Sequence, residues 1–583
     1  MSQNLEHKRH TLAHLLAAAV VDQYPHAKLT LGPAIDTGFY YDIDFSAGEA
    51  PGDSDLKDLQ KRMKKMMNAW TEFSHEEVSA DAARTQFTGN EFKTELINEI
   101  EARGETITLY TCGGFTDLCR GGHSENPKVD IDTDAFKLDK IAGAYWRGDE
   151  KNKMLTRIYG IAFDTKEELE AYERQLEEAK ARDHRKLGKE LDLFTFSELV
   201  GAGLPLFTPK GTMMRDLIVD KITKIQAKYG YAKVTIPHIT KSDLYKTSGH
   251  WDKFKDDLFH VKGQSDTEFV MKPMNCPHHT QIFDSKPRSY KELPIRYAET
   301  TMVYRDEQAG ELIGLGRVRS ITQDDGHVFC TVDQIDQEVS NIVKVIQEFY
   351  TSLGMFADGK FWVSLSVADP HKPENYLGNP ENWKKAEAML ENVATQLNLP
   401  YKRVEGEAAF YGPKLDFMFK DAIGRERQLA TAQLDFVMPE RFALSYTDNT
   451  GAKQTPVMIH RAIAGSLERF MAIMIEHFAG NFPLWLSPVQ LAVIPVAESH
   501  NEYAREVAEV LRQQNFRVEL DDSNESMGKK IRNAKKERLP YFIVIGDKEV
   551  EGKTVTLESR DSEGPVAIDI ETLLEKLAIE NSI

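Results

Sequence analysis

A chain of 583 residues exceeds what one hydrophobic core supports, so several domains are expected. A composition of 41% hydrophobic and 28% charged residues is that of a globular protein, and a net charge of −19 argues against a nonspecific coat for nucleic acid while leaving room for a local basic face. The four cysteines are too few for a disulfide scaffold, the apolar run 12–21 is too short for a bilayer, and no segment has the layout of a signal peptide, so a cytoplasmic protein without membrane attachment is expected.

Residues 1–162 mix helix and strand signals. His10 and His14 are four apart, which puts both on one face of a helix. Residues 29–45 read as strand, turn, strand, with Gly32-Pro33 and Thr37-Gly38 as breakers, and 56–70 as an amphipathic helix with a basic face. Cys119 and His123 follow in Asp117-Leu118-Cys119-Arg120-Gly121-Gly122-His123. Either pair alone is weak support for a site. Residues 163–189 predict a solvated linker helix: Thr165 and Glu168 form a capping box, and Leu169, Tyr172, Leu176 and Ala179 recur at helical spacing among charges.

From 190 to 486 the pattern becomes strands at 231–236, 268–272, 295–304, 361–366 and 415–419, with helices between. The stretch 301–329 is the most informative. A strand ends in Arg305-Asp306-Glu307, a Gly-rich loop follows, and Arg317, Arg319, Gln323, Asp324, Asp325 and His327 come on the return. An arginine beside such a loop suits a bidentate grip on phosphate or carboxylate. Arg469 opens a distant helix; taken singly, either arginine reads as well as a surface ion pair. Cys276, His327 and His460 are too dispersed for a zinc finger and read singly as a buried thiol and two hydrogen-bonded histidines.

After Pro488 the rhythm changes to strand 489–495, helix 501–514, strand 516–520, helix 526–536 and strand 541–545, a small α/β domain with a mostly parallel sheet. Lys529, Lys530, Arg532, Lys535, Lys536 and Arg538 crowd its second helix, a run that by itself reads as a solvated face.

In order along the chain, these segments resemble the threonyl-tRNA synthetase family of class II aminoacyl-tRNA synthetases. Arg305-x-Glu307 with its returning strand resembles class II motif 2, Gly465-x-x-Glu468-Arg469 resembles motif 3, and the strand ending at Pro237 resembles motif 1, a segment usually at a dimer interface. The resemblance implies an α+β multidomain fold: an N-terminal α/β editing domain (1–162), the linker helix (163–189), an antiparallel-sheet catalytic domain (190–486) and a C-terminal α/β anticodon-binding domain (487–583). It implies a homodimer that joins L-threonine to tRNA(Thr) using ATP with Mg²⁺.

Carried over residue by residue, Arg305 would hold the α-phosphate and the amino-acid carboxylate. Glu307 would read adenine, Arg317 would hold the γ-phosphate, and Arg469 would cover adenine and triphosphate. Lys414, Gln428, Thr431 and Gln433 match nearby ATP and pocket positions, and His250 matches a residue implicated in transfer to tRNA. Cys276, His327 and His460 fall on the family's zinc site, one Zn²⁺ per catalytic site, with a position open to substrate. Asp325 would accept from the substrate hydroxyl, and Gln323 and Tyr411 would contact its amine. In the editing domain His10, His14, Cys119 and His123, with Lys93, Tyr110 and Asp117, would line a pocket that hydrolyses Ser-tRNA(Thr). The four donors also suit zinc, but the resemblance implies a polar pocket that positions water without an obligatory metal. Asn524 and Glu525 would read anticodon bases, while Lys530 and Arg532 hold phosphates. Three positions depart from the family: Arg427 and Ala430 stand where Trp and Gly are usual, and His278 replaces a Gly. A fourth, Gly122, replaces a Pro. His10 also lies so near the start that the form lacking the family's small N-terminal β-rich domain is expected.

Overall fold

The computed structural model describes residues 3–264, 266–562 and 564–581. The chain forms two compact units, residues 1–177 and 178–583. Among the described residues no helix is long and apolar enough to cross a membrane.

In the first unit, α1 (Gln3–Gln23) is buried almost all round between Leu12 and Val20, which makes it a core helix. Strand β1 (Gly38–Asp44) follows, then α2 (Leu56–Met66), whose Leu56, Leu59 and Met63 recur at helical spacing and are buried. Next come β2 (Ser74–Val78), α3 (Glu91–Ala102), β3 (Ile107–Cys112), β4 (Phe115–Leu118), β5 (Phe136–Tyr145) and β6 (Met154–Ala162). Strand β6 lies between β1 and β5 in one antiparallel sheet, and β3 lies between β2 and β4 in another.

The expected linker helix divides in two. Helix α4 (Lys166–Arg182) ends where Asp183 leaves helical geometry, at φ −50° and ψ 120°, and caps Arg185 N with its side chain, so that α5 (His184–Glu190) starts afresh.

In the second unit α6 (Pro209–Ala227) precedes β7 (Ala232–Lys233), a shorter strand than the expected 231–236. Helix α7 (Cys276–Asp284) leads to β8 (Ile295–Tyr304) and β9 (Ser320–Cys330), followed by α8 (Ile335–Thr351), β10 (Phe361–Val367), α9 (Pro380–Gln396) and β11 (Tyr401–Glu405). Then come β12 (Lys414–Lys420), β13 (Glu426–Asp435), β14 (Val457–Ala462) and α10 (Leu467–Phe478). The eight strands form one sheet in the order β7-β8-β9-β14-β13-β12-β10-β11, antiparallel except for the pair at each edge. Side chains alternate across it. Val363, Leu365, Val367, Leu415, Phe417 and Phe419 face a core shared with α6, α8, α9 and α10, whereas Ser364, Ser366, Lys414 and Asp416 take the other face.

The last stretch holds β15 (Leu491–Pro495), α11 (Asn501–Gln513), β16 (Val518–Leu520), α12 (Met527–Lys536), β17 (Tyr541–Ile545), β18 (Thr554–Ser559), β19 (Val566–Asp569) and α13 (Ile570–Asn581). Strand β15 pairs in parallel with β16 and β17, as the sequence predicts; β18 and β19 add an antiparallel extension that the sequence reading did not include.

Candidate active site, metal centre and proofreading pocket

Strand register assembles the polar face of the large sheet. His327 lies opposite His460, His460 opposite Gln433, Gln433 opposite Lys414, and Lys414 opposite Ser366, so one straight row crosses five strands. Gln323 and Asp325 belong to the same face of β9 as His327, because side chains repeat every two residues. A bulge in β13 sets the remaining position. Leu429 is the extra residue opposite Phe417 and Met418, and both Leu429 and Ala430 turn into the core, which leaves Gln428 and Thr431, three apart, on the cleft side. The methyl of Ala430 therefore points away from the cleft.

Cys276 arrives from another direction, on the first turn of α7, and Sγ with one nitrogen from each of His327 and His460 forms a buried group lying within 4.8 Å. His327 Nε2 and His460 Nδ1 are 3.1 Å apart, close to the roughly 3.3 Å between two nitrogens bound tetrahedrally to one zinc. Their other nitrogens are engaged as metal ligands require. His460 Nε2 donates to Asp435 Oδ2 at 2.8 Å, and His327 Nδ1 meets His279 Nδ1 at 2.7 Å, with Glu299 3.6 Å beyond the far nitrogen of His279. Burial, with Asp325 and Asp435 nearby, pushes the Cys276 thiol well up, so a thiolate there needs a cation beside it. This donor set fits one zinc ion.

Around it, Asn275 donates to Asp325 at 3.1 Å, the Tyr411 ring lies 5.1 Å from that of His460, and Gln433 donates to the Gly412 carbonyl. The buried Gln323 Oε1 accepts no hydrogen bond among the described residues, an acceptor suited to a substrate amine. His250 Nε2 is 3.9 Å from Cys276 Sγ, and burial followed by the charges of His460, Arg305 and Arg441 lowers its pKa to about 3, so the ring is neutral.

A cavity of about 410 Å³ beside the metal donors is lined by Arg305, Glu307, Arg317, Gln323, Ser466 and Arg469. Glu307 holds Arg317 at 2.7 Å. Arg469 is solvent-exposed on the cleft side yet partly desolvated; that desolvation and the charge of nearby Arg427 push its pKa down, and it pairs with no carboxylate among the described residues. A guanidinium facing another cation favours an anionic ligand. Glu468, next to it, accepts from Thr322 N and Oγ1 and so ties α10 to β9. Lys414 pairs with Asp416 at 2.6 Å, which also accepts from Thr431.

In the first unit His10 and His14 stand one turn apart on α1, and the glycines 121 and 122, with φ +95° and +82°, fold the chain back so that Cys119 and His123 join them. The value at Gly122 is closed to the proline usual in the family. Cys119 Sγ is 3.5 Å from His10 Nε2 and 3.4 Å from His123 Nε2. Burial opposes its thiolate, but hydrogen bonds from the three histidines bring its pKa to about 3. Burial likewise opposes a charged His14, yet Asp117 and Cys119 raise it to about 9. Asp117 is fully enclosed between Lys93 Nζ at 2.5 Å, Tyr41 OH at 2.5 Å and His14 at 3.4 Å. Tyr110 packs its ring 4.9 Å from His123. The cluster opens on a cavity of about 370 Å³.

At the C-terminal basic helix one assignment changes. Lys530 is buried and donates to the carbonyls of Pro495 and Asp521, so it braces the loop carrying Asn524 and Glu525 rather than reaching a phosphate. Arg532 is exposed, as expected of a phosphate ligand, and Glu525 is paired with Lys529 at 2.7 Å.

A threonine–tRNA ligase of Gloeobacter violaceus is 48% identical over 565 residues, 96% of this chain and 89% of that protein. The chain belongs to the threonine–tRNA ligase family. One of Porphyromonas gingivalis is likewise 48% identical over 563 residues, covering 96% of this chain and 85% of that protein. The class II core domain of the G, H, P, S and T synthetases matches residues 259–478, an anticodon binding domain matches 490–579, and the second additional domain of threonyl and alanyl tRNA synthetases matches 107–159. The RNA binding domain of threonyl-tRNA synthetase from Cryptosporidium parvum superposes with a TM-score of 0.64 at 38% identity, covering 68% of this chain and 98% of that one. A Giardia lamblia prolyl-tRNA synthetase superposes at 0.54 with 17% identity over 70% of this chain and 80% of its own, which speaks to fold alone.

Sequence reasoning missed the residues that orient the ligands: Asp435, His279 and Glu299 around the metal donors, Asp416 beneath Lys414, and the hydroxyl of Tyr41 on Asp117. Asp435 left a usable signal, being two residues from Gln433, past the bulge at Leu429 and so on the same face of the strand.

Proposed function

We propose that this chain activates L-threonine with ATP and Mg²⁺, transfers the threonyl group to tRNA(Thr), and removes serine attached to that tRNA by mistake. The observation that carries the reading is the meeting of Cys276, His327 and His460 beside a cavity lined by Arg305, Arg317 and Arg469. Cys276, His327 and His460 would hold zinc, which would supply Lewis-acid coordination open to substrate and, by expanding to five ligands, able to take both an amine and a hydroxyl. Asp325 receives the hydroxyl proton's hydrogen bond, and Gln323 Oε1 receives the amine's. Arg305 and Arg469 hold the phosphates while negative charge spreads over the α-phosphoryl oxygens, a positional and electrostatic form of catalysis. His250, within reach of the metal donors, is the residue we assign to the transfer step, as a neutral ring that positions the tRNA terminus.

In the proofreading pocket the Cys119–histidine group faces the cavity and suits the holding of a water against an ester, while Asp117, Lys93 and Tyr41 form a fixed wall. The basic helix α12 suits the tRNA backbone, with Asn524 and Glu525 at its entry. A cytoplasmic homodimer joined near β7 fits the motif 1 resemblance.

Threonine-dependent ATP–pyrophosphate exchange, with zinc measured on the same sample, tests this. One zinc per chain and exchange with threonine but not proline or valine is expected. Exchange undiminished in a zinc-free Cys276→Ser protein would reject the metal's role, and absence of any exchange would favour an RNA-binding relative that has lost catalysis.

A further inference from the structure

Helix α5 presents a histidine that the chemistry above does not use. His184 is buried, and both ring nitrogens are engaged. Nδ1 donates to Glu476 Oε1 at 2.7 Å, and Nε2 accepts the Leu315 N–H at 3.1 Å. Asp183, His184 and Glu476 lie close enough together to suggest a metal site, but the ring has no lone pair left for one. What the ring touches gives it another meaning.

Leu315 is fully buried at the centre of a tight turn in which Gly316 N bonds to Ile313 O at 2.7 Å and Ile313 N to Arg317 O at 3.3 Å. Gly314, at φ +50°, lies against the ring, and a Cβ there would fall 2.4 Å from Nε2. Two residues past Leu315 is Arg317, in the phosphate cleft. At the other end, Glu476 is seven residues after Arg469 on α10, hence on the same helix face, and it also receives Arg425 at 2.5 Å. One imidazole thus joins the helix of Arg469 to the turn of Arg317.

We propose that His184 is a positioning residue for ATP: it fixes the Ile313–Arg317 turn against α10 and so sets the spacing of the two arginines. The idea rests on reading the cleft as the ATP site. Only a side chain with an acceptor at one end and a donor at the other replaces the ring, and glutamine has both, at similar separation.

The test is threonine-dependent ATP–pyrophosphate exchange on the full-length protein. For His184→Ala, KM for ATP is expected to rise about tenfold, with KM for threonine and zinc content within about twofold of wild type; His184→Gln should restore KM for ATP to within about threefold. Hydrogen exchange at the Leu315 amide should quicken in the alanine variant and recover in the glutamine variant. An unchanged KM for ATP in His184→Ala, or glutamine failing as badly as alanine, overturns the proposal. If the alanine protein does not fold, His184→Gln decides alone by the same limit. Arg317→Ala is the control: if it leaves KM for ATP unchanged, the reading of the cleft fails rather than the role of His184.

Discussion

Replacing Asp435 with asparagine tests the metal centre without touching a proposed ligand. Asp435 is fully buried; Oδ1 accepts the N–H groups of Val437 and Met438, and Oδ2 accepts from His460 Nε2 at 2.8 Å. An asparagine of the same shape keeps its carbonyl on the two backbone donors and turns its NH₂ to the ring. Two donors then face each other. The ring escapes only by moving its proton to Nδ1, the atom that faces His327 and the metal position. Loss of such an outer partner typically weakens metal binding about 10–100-fold, or about 1.4–2.7 kcal/mol. Competition with a chromogenic chelator measures the affinity, and threonine-dependent exchange in zinc-buffered solution measures the consequence. Activity of Asp435→Asn should fall at low free zinc and return as zinc is raised. Zinc affinity equal to wild type, or a defect that added zinc does not relieve, refutes the argument.

Other perturbations separate the remaining sites. His10→Ala with His14→Ala should leave charging with threonine intact while hydrolysis of preformed Ser-tRNA(Thr) falls by about 100-fold or more, read by deacylation of labelled tRNA. Arg532→Ala should weaken tRNA binding and lower the salt slope by about 1, whereas Lys530→Met should weaken binding by loosening the 521–525 loop and leave the slope unchanged; a salt titration of tRNA affinity distinguishes them. At Glu476, burial opposes the carboxylate, but hydrogen bonds from His184 and the charge of Arg425 prevail and hold its pKa below the ordinary 4.5. A depressed carboxyl pKa gives stability that is complete above 4.5 and is lost as pH falls through the lower folded value. Thermal midpoints measured from pH 6 to 3 should therefore show a smaller acid-side drop for Glu476→Gln than for wild type, from a lower starting point at neutral pH.

The legible part of this molecule is what local chemistry writes into short stretches. The arginine after β8 and the Gly-rich loop behind it, the two histidines a turn apart on α1, and the alternation of strands and helices after Pro488 each lie within one element. What joins His327, His460, Gln433 and Lys414 is strand order and register, and no local pattern in the sequence states which strand neighbours which. The resemblance brought the metal donors together; residue types alone did not. Two errors have the same origin. A charge run on α12 reads as solvated lysines, yet Lys530 turns inward onto the carbonyls of Pro495 and Asp521. Residues 163–189 keep a helical period throughout, yet a single aspartate prefers to cap, and the helix restarts at His184.

On the proposed reading, the two pockets answer one problem of selectivity. A metal that senses a hydroxyl rejects valine because the buried polar groups around it are left unpaired, a difference of about 10⁴-fold or more. Against serine the same device fails, since serine offers the amine and the hydroxyl and lacks only a methyl, worth roughly 10–200-fold in a snug pocket. The shortfall must be met by a site that accepts the smaller product and excludes the larger, and exclusion by one methyl demands walls that do not yield. The wall formed by Asp117 has that character: its carboxylate is buried and held on three sides by Lys93, Tyr41 and His14. Glycines 121 and 122, with positive φ, set the fold of the loop that carries Cys119 and His123. On that reading, charge in the first pocket would select for a functional group, and the held wall of the second would select for size.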